Sequence, residues 1–339
     1  MTVIDSVRSY GPVVYDIRRN KEPLDLKKQI LGGLSSSDPE LPSLLLWDDE
    51  GLRLFDAFSK TPDYYLRSKE MEILEHHVED MAERIPPGSA LIELGCGTLQ
   101  KTGALLSALE RQGKNVSYYA LDVSPEELAA GLSILFETFG SSKHLDIRGL
   151  LGTYEDCVAW LASQSGIKRA TAVNFLWMGN SIANFDFFGA SSLLSRFVDS
   201  CFASKMPCQF LVSIDACPRE DKILQAYNPD NRSLSEFILN GLRHANSVLG
   251  QEIFQVDEWK CVTKFDHRDR TLKVYYSPRR DIDSDIDGKR FAVNAEQGIL
   301  AITSGKWVET DVHAMSAKAG LRVVDVWRDT DQAYSFNPW

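Results

Sequence analysis

Glu93-Leu94-Gly95-Cys96-Gly97 and Asp122 are the residues of this chain whose types and spacing most directly imply chemistry. Glycine at 95 and 97 permits positive φ and lets a ligand approach the backbone, which a Cβ would obstruct. The turn follows Leu91 to Leu94, which favour a buried strand, and precedes a helical pattern with Leu105, Leu106 and Leu109 at i, i+1 and i+4. Strand, glycine turn and helix form the opening unit of a nucleotide-binding α/β sheet. Gln100 stands where the dinucleotide fingerprint has its third glycine, so a nucleoside without phosphates fits better than a pyrophosphate. Val116 to Leu121 reads as the next strand and ends in Asp122, a carboxylate able to accept hydrogen bonds from both ribose hydroxyls. The plain alternative is a structural turn and an N-capping Asp. Two features agreeing at this spacing match the pattern of S-adenosylmethionine (SAM) enzymes and favour the cofactor reading.

The elements that must position these residues follow from periodicity. Met71, Leu74, Val78, Met81 and Ile85 make the apolar stripe of a helix with Ser68 as its expected N-cap and Pro86-Pro87-Gly88 as its stop. Ser124 caps the helix after the second strand, with Pro125 at its first position. Further strands are expected at Leu145 to Leu151, Ala170 to Leu176 and Gln209 to Ile214, with helices at Cys157 to Ser163 and Phe187 to Phe202. This alternation predicts a parallel sheet covered by helices on both faces, with ligands beyond the carboxyl ends of the strands.

Residues 216–306 break the alternation. Helices are expected at Lys222 to Tyr227 and Ser233 to Leu249, then strands at Glu258 to Phe265, Leu272 to Ser277 and Arg290 to Val293, with a turn at His267 to Arg270. A helix at Asp311 to Lys318 resumes the parallel pattern, and a hairpin of Leu321 to Trp327 with Ala333 to Phe336 closes the chain. Nearer the start, Asp25 to Leu34 reads as a helix, Asp48 to Gly51 as a turn and Leu52 to Phe58 as a short helix. Tyr64 and Tyr65, on a Pro-containing loop, are either a pocket lid or packing residues. His76 and His77 point about 100° apart on one helix and cannot share a metal.

The 339 residues carry a formal charge of −11, which argues against a nucleic-acid substrate. No stretch approaches the roughly 20 apolar residues of a membrane span, and Met1 to Tyr10 lacks a signal-peptide layout. Six cysteines without a CxxC pair suggest neither zinc nor a disulfide framework, so a cytoplasmic protein with reduced thiols is expected. No metal is expected, and the expected assembly is a monomer or weak dimer.

With these motifs in place, the chain resembles the amino-acid α-N-methyltransferases. That family includes the histidine enzyme of ergothioneine biosynthesis and the fungal dimethylallyltryptophan N-methyltransferases of alkaloid pathways. The likeness runs from about Leu41 to the C-terminus. It is carried by LLLWDDEGLRLF (44–55), PDYYLR (62–67), ELGCGTLQKT (93–102), YALDVS (119–124), GLLGTYED (149–156), GNSIANF (179–185), QAYN (225–228), LNGLRHAN (239–246) and SGKW (304–307). The fold it implies is α/β: a Rossmann-like SAM-dependent methyltransferase sheet with an inserted α+β substrate-binding subdomain. Residues 1–68 plus 216–306 would form that subdomain, and 69–215 plus 307–339 the SAM-binding domain.

The resemblance also implies roles. Gly95 and Gly97 would pack against the cofactor, Lys101 would pair with its methionine carboxylate, Asp122 would hold the ribose, and Thr153 and Tyr154 would meet the adenine. Tyr65, Asn184 and Tyr227 would grip the amino and carboxylate groups of a small amino-acid substrate, with Tyr65 and Asn184 nearest the chemistry. Ser304 would line the side-chain pocket. The residue types agree: Lys101 is a cation at a helix start, and Asn184 offers a donor and acceptors to a zwitterion.

Two departures bear on specificity. The histidine enzymes carry a glutamate two residues before the matching serine, where it pairs with imidazole; Ile302 stands there in this chain. Leaving a buried ring N–H unpaired costs about 1–3 kcal/mol, so the pocket suits a larger apolar ring such as indole. Trp47 replaces a usual tyrosine and adds aromatic surface. The expected reaction is methyl transfer to the α-amine of tryptophan or a prenylated tryptophan. The alternatives are histidine methylation, 3-amino-3-carboxypropyl transfer from the same cofactor, and a non-catalytic binding protein. Intact Gly95, Gly97, Lys101 and Asp122 argue against the last.

Overall fold

The computed structural model describes residues 11–20, 25–96, 100–163, 167, 169–286, 288–295 and 297–339. Its strands are β1 (Val13–Asp16), β2 (Ser89–Leu94), β3 (Val116–Asp122), β4 (Leu145–Leu151), β5 (Val173–Trp177), β6 (Cys208–Asp215), β7 (Trp259–Asp266), β8 (Thr271–Pro278), β9 (Ile282–Ile286), β10 (Lys289–Val293), β11 (Ile299–Gly305), β12 (Trp327–Arg328) and β13 (Tyr334–Pro338). Its helices are α1 (Leu26–Leu34), α2 (Asp49–Ser59), α3 (Tyr65–Arg84), α4 (Gln100–Arg111), α5 (Pro125–Phe139), α6 (Tyr154–Ala162), α7 (Phe187–Ala203), α8 (Glu220–Ala226), α9 (Arg232–Leu249) and α10 (Glu309–Lys318).

The chain divides into two compact units. The first comprises Met1–Lys21, Ser68–Ala216 and Trp307–Trp339. It holds an eight-stranded sheet in the order β1-β4-β3-β2-β5-β6-β13-β12. The strands from β1 to β6 run parallel, and β13 returns antiparallel against β6. All six residues of β2 are buried, as an inner parallel strand covered on both faces requires. Ile92, Leu94, Phe175, Trp177, Phe210 and Phe197 lie in one apolar cluster, with Phe175 and Phe210 stacked 4.5 Å apart. Ser124 accepts from Glu127 N ahead of Pro125, as expected of an N-cap.

The second unit comprises Glu22–Arg67 and Cys217–Lys306. A three-stranded antiparallel sheet, β11-β8-β7, and a β9–β10 hairpin accompany α1, α2, α8 and α9. Helix α9 buries Leu234, Phe237, Ile238, Leu242, Ala245 and Leu249, a stripe at three- and four-residue spacing, and Gly250 ends it in the left-handed region.

Several expectations are corrected. Within 1–68, assigned to the substrate-binding subdomain, Val13–Asp16 forms β1 of the large sheet, parallel to β4, while α1 and α2 fall in the second unit. Helix α3 starts at Tyr65 rather than after Ser68, because Tyr64 and Tyr65 are buried and anchor the chain earlier. Asp48 to Gly51 is a helix start and not a separate turn: Asp48 accepts from Gly51 N at 2.8 Å, and Asp49 and Glu50 suit the positive end of α2. Strands β9 and β11 were not expected, and Leu321 to Val326 forms no strand ahead of β12. Among the described residues, no helix is long and apolar enough to cross a membrane.

Candidate active site

Because β2 to β6 are parallel, their carboxyl ends lie along one rim, which carries Gly95 after β2, Asp122 at the end of β3 and Thr153-Tyr154 after β4. Gly95 follows β2 with φ +80°, a conformation an L-residue rarely adopts, and its N–H donates to Leu121 O on β3. A Cβ on Gly95 would stand 3.4 Å from the Tyr154 hydroxyl, so the glycine leaves room between the turn and that ring. Tyr154 lies against Trp177 and Phe185, with ring centroids 5.3 and 6.1 Å away, and burial raises its phenol well above the ordinary range. Gly97 lies outside the described residues.

Asp122 closes β3. Its carboxylate accepts from Ser124 N at 3.0 Å and from the Cys96 thiol at 3.6 Å. Burial raises its pKa, and these donors offset only part of that. A half-buried carboxylate at the end of an inner strand can accept from two ribose hydroxyls, so the residues present fit a nucleoside.

Thr153 also has a structural role. It is the N-cap of α6 and closes a capping box with Asp156: its hydroxyl donates to Asp156 Oδ2 at 3.0 Å and accepts from Asp156 N at 3.2 Å. The Tyr154 hydroxyl is the side-chain group that faces the glycine turn.

Lys101 sits at the start of α4, as expected, but its partner in this structure is the chain's own Glu70, with Nζ 2.6 Å from Oε2. Glu70 is a site residue that sequence reasoning missed. Asn184 ends a short 3-10 turn, Ser181–Asn184, reached from β5 through Gly179 and Asn180, both in the left-handed region.

In the second unit, α9, α2 and the sheet bring the expected substrate residues Trp47, Tyr227 and Ser304 into one chain of contacts. Trp47 lies 5.1 Å from Phe55 and 5.3 Å from Phe237, between ring centroids, and Phe58 and Tyr64 connect that group to Tyr227. The Tyr227 hydroxyl is 3.5 Å from Ser304 Oγ. Ile302 and Ser304 pair with Val274 and Leu272 beyond a bulge in β11, so they share one face. Tyr64 is a packing residue of this cluster rather than a lid, and Tyr65 is buried with Lys222 Nζ 5.1 Å over its ring. Lys306 was also missed: it is wholly buried, donates to Ser304 Oγ at 2.9 Å and lies 4.8 Å over the Tyr227 ring.

A parallel sheet with a glycine turn after an inner strand and an acid closing the neighbouring one suits a nucleoside cofactor, and the family match makes the chain a SAM-dependent methyltransferase. The chain belongs to the family described as histidine-specific, SAM-dependent methyltransferases, whose model matches residues 26–338. It is 46% identical over 325 residues to the N-methyltransferase dtpB of Aspergillus flavus, covering 96% of this chain and 91% of that one. It is 36% identical to the 4-dimethylallyltryptophan N-methyltransferase easF of Claviceps purpurea, over 71% of this chain and 69% of that one. Ergothioneine biosynthesis protein 1 of Neurospora crassa is 34% identical over 93% of this chain, which spans 35% of that longer protein.

Proposed function

We propose that this enzyme methylates the α-amine of an aromatic amino acid, tryptophan or a dimethylallyltryptophan, in secondary metabolism. SAM, when bound, supplies an electrophilic methyl sulfonium. The chain's own residues then have to hold the nucleoside, fix the amino-acid tail and present a neutral amine. Asp122 takes the ribose hydroxyls, Gly95 and Gly97 admit the cofactor against the backbone, Tyr154 meets the base and Lys101 the tail carboxylate. Tyr65, Asn184 and Tyr227 orient the substrate's amino and carboxylate groups, while the amine loses its proton to water. Proximity and alignment are the main contribution asked of the protein. None of the six cysteines forms a disulfide, which supports a reducing, cytoplasmic setting.

The observation that carries the aromatic preference is the face shared by Ile302 and Ser304. Ile302 has no acceptor for an imidazole N–H, and Lys306 Nζ beside Ser304 has donors only. The half-buried rings of Trp47 and Phe55 supply apolar surface in the same unit, backed by the buried rings of Phe58, Tyr64, Phe237 and Tyr227. Histidine is the second reading, favoured by the family's description and by the Neurospora relative's name.

Mass spectrometry of products from SAM and a panel of amino acids separates the two. N-methyltryptophan or its prenylated form is expected from the native enzyme. Ile302→Glu is expected to move the ratio toward histidine by about tenfold or more, the value of one charge-assisted hydrogen bond. Native turnover of histidine in preference to every indole overturns the proposal. Formation of methylthioadenosine in place of S-adenosylhomocysteine would show aminocarboxypropyl transfer instead.

A further inference from the structure

Glu70 lies on α3, and the cofactor and substrate roles set out above do not use it. Its side chain is 2% exposed, yet it accepts hydrogen bonds from three separate segments of the first unit. Lys101 Nζ meets Oε2 at 2.6 Å. Gly179 N and Ser213 Oγ meet Oε1 at 2.7 and 2.6 Å. The Tyr334 hydroxyl stands behind Ser213 at 3.1 Å. One carboxylate therefore joins the start of α4, the loop after β5 and the end of β6.

The loop is fitted closely around this group. Gly179 has φ +75°, and a Cβ there would stand 3.2 Å from Lys101 Nζ. Asn180, next in the chain, accepts from Asp215 N through its Oδ1 at 2.9 Å. Asn184 ends the turn that follows. A lysine rides on a flexible four-carbon stem and carries three donors. Glu70 fixes one of those donors and with it the direction of the stem.

We infer that Glu70 is a positioning residue: it holds Lys101 where the cofactor's amino-acid carboxylate is received, and the same carboxylate fixes the loop leading to Asn184. The inference rests on the reading of Lys101 as the partner of that tail. A buried carboxylate with a lysine and two neutral donors is balanced in charge and hydrogen bonding, so neither oxygen has a reason to move when a ligand arrives.

Calorimetric titration with two probes tests this. S-adenosylhomocysteine carries the amino-acid tail, and 5′-methylthioadenosine lacks it. Glu70→Gln keeps a carbonyl oxygen for Gly179 N and Ser213 but loses the anionic oxygen that faces Lys101. Its affinity for S-adenosylhomocysteine is expected to fall about tenfold, as for loss of a charge-assisted contact, with the methylthioadenosine affinity changed less than about twofold. Glu70→Asp, which keeps the charge one methylene short, is expected to show the same selectivity and serves if the Gln variant does not fold. Lys101→Met tests the underlying reading by itself, and adding Glu70→Gln to it is expected to weaken binding no further. If Lys101→Met leaves S-adenosylhomocysteine binding unchanged, the reading of the lysine fails and the inference falls with it. If Lys101→Met weakens that probe while Glu70→Gln does not, or Glu70→Gln weakens both probes alike or tightens the first, the reading stands and the role of Glu70 is overturned.

Discussion

Replacing Glu93 by Gln should change how the stability of the first unit depends on pH. Glu93 is the last acid of β2 before the glycine turn and is 2% exposed. Burial raises its carboxyl from 4.5 to about 7, although the Tyr118 hydroxyl at 2.5 Å, the Thr102 hydroxyl at 2.7 Å and the charge of Lys101 pull the other way. An acid whose pKa is higher folded than unfolded binds its proton more tightly in the native state. Its contribution is therefore lost as pH rises from 4.5 toward 7, and no change comes from it below 4.5 or well above 7. At about 1.4 kcal/mol per tenfold in proton affinity, the gap is worth about 3 kcal/mol in full, most of it between pH 5 and 8. Glutamine has no such titration. Urea unfolding of both proteins at pH 5, 6, 7 and 8 should show the variant gaining on the native chain by about that amount as pH rises. Asp122 and the other acids titrate in both proteins and cancel in the difference. A difference that is flat with pH, or one that turns against the variant at pH 8, would refute the burial argument.

Two further outcomes are expected. Thr153→Ala removes the capping hydroxyl of α6 and should lower the stability of the first unit by about 1 kcal/mol, read as a lower urea midpoint at unchanged m-value; no change would mean that the box with Asp156 contributes nothing. Lys306→Met loses the bond from Nζ to Ser304 Oγ and should raise the KM for the amino acid about fivefold or more, the scale of a buried hydrogen bond, while binding of S-adenosylhomocysteine stays the same.

What could be read from sequence was local. The β2 glycine turn, the Asp122 strand end, the Ser124-Pro125 helix start and the α9 stripe each depend on residues within a few positions of one another. The misses depend on partners far away in the chain. Val13–Asp16 becomes a strand because β4, more than a hundred residues later, offers it an edge. Ile299–Gly305 becomes one because β8 precedes it across the β9–β10 hairpin, and the bulge between Leu300 and Ile302 breaks the alternation that would have announced it. Helix α3 starts ahead of Ser68 for the same reason: Ser68 is a good cap by its chemistry, and burial of Tyr64 and Tyr65 outweighs it.

The two site residues that escaped notice had a readable signal of a different kind. Glu70 precedes Leu74 by four residues and so falls on the same apolar stripe as Leu74, Val78, Met81 and Ile85, where an acid cannot lie buried without partners. Lys306 follows Ile302 and Ser304 at the same two-residue spacing just past the end of β11, and it is wholly buried. Composition hides both, since Ser68 to His77 looks like a solvated helix and Lys306 like the polar end of a strand. Phase exposes them. A charge placed on the buried phase of a helix or strand has to be answered by another group. Here the answers are Lys101 and Ser304, the residues expected to meet the cofactor's tail and the substrate's ring. Two of the groups named by resemblance, Lys101 and Ser304, are therefore hydrogen-bonded by groups that only phase reveals, so mutating the first set alone would leave those partners untested.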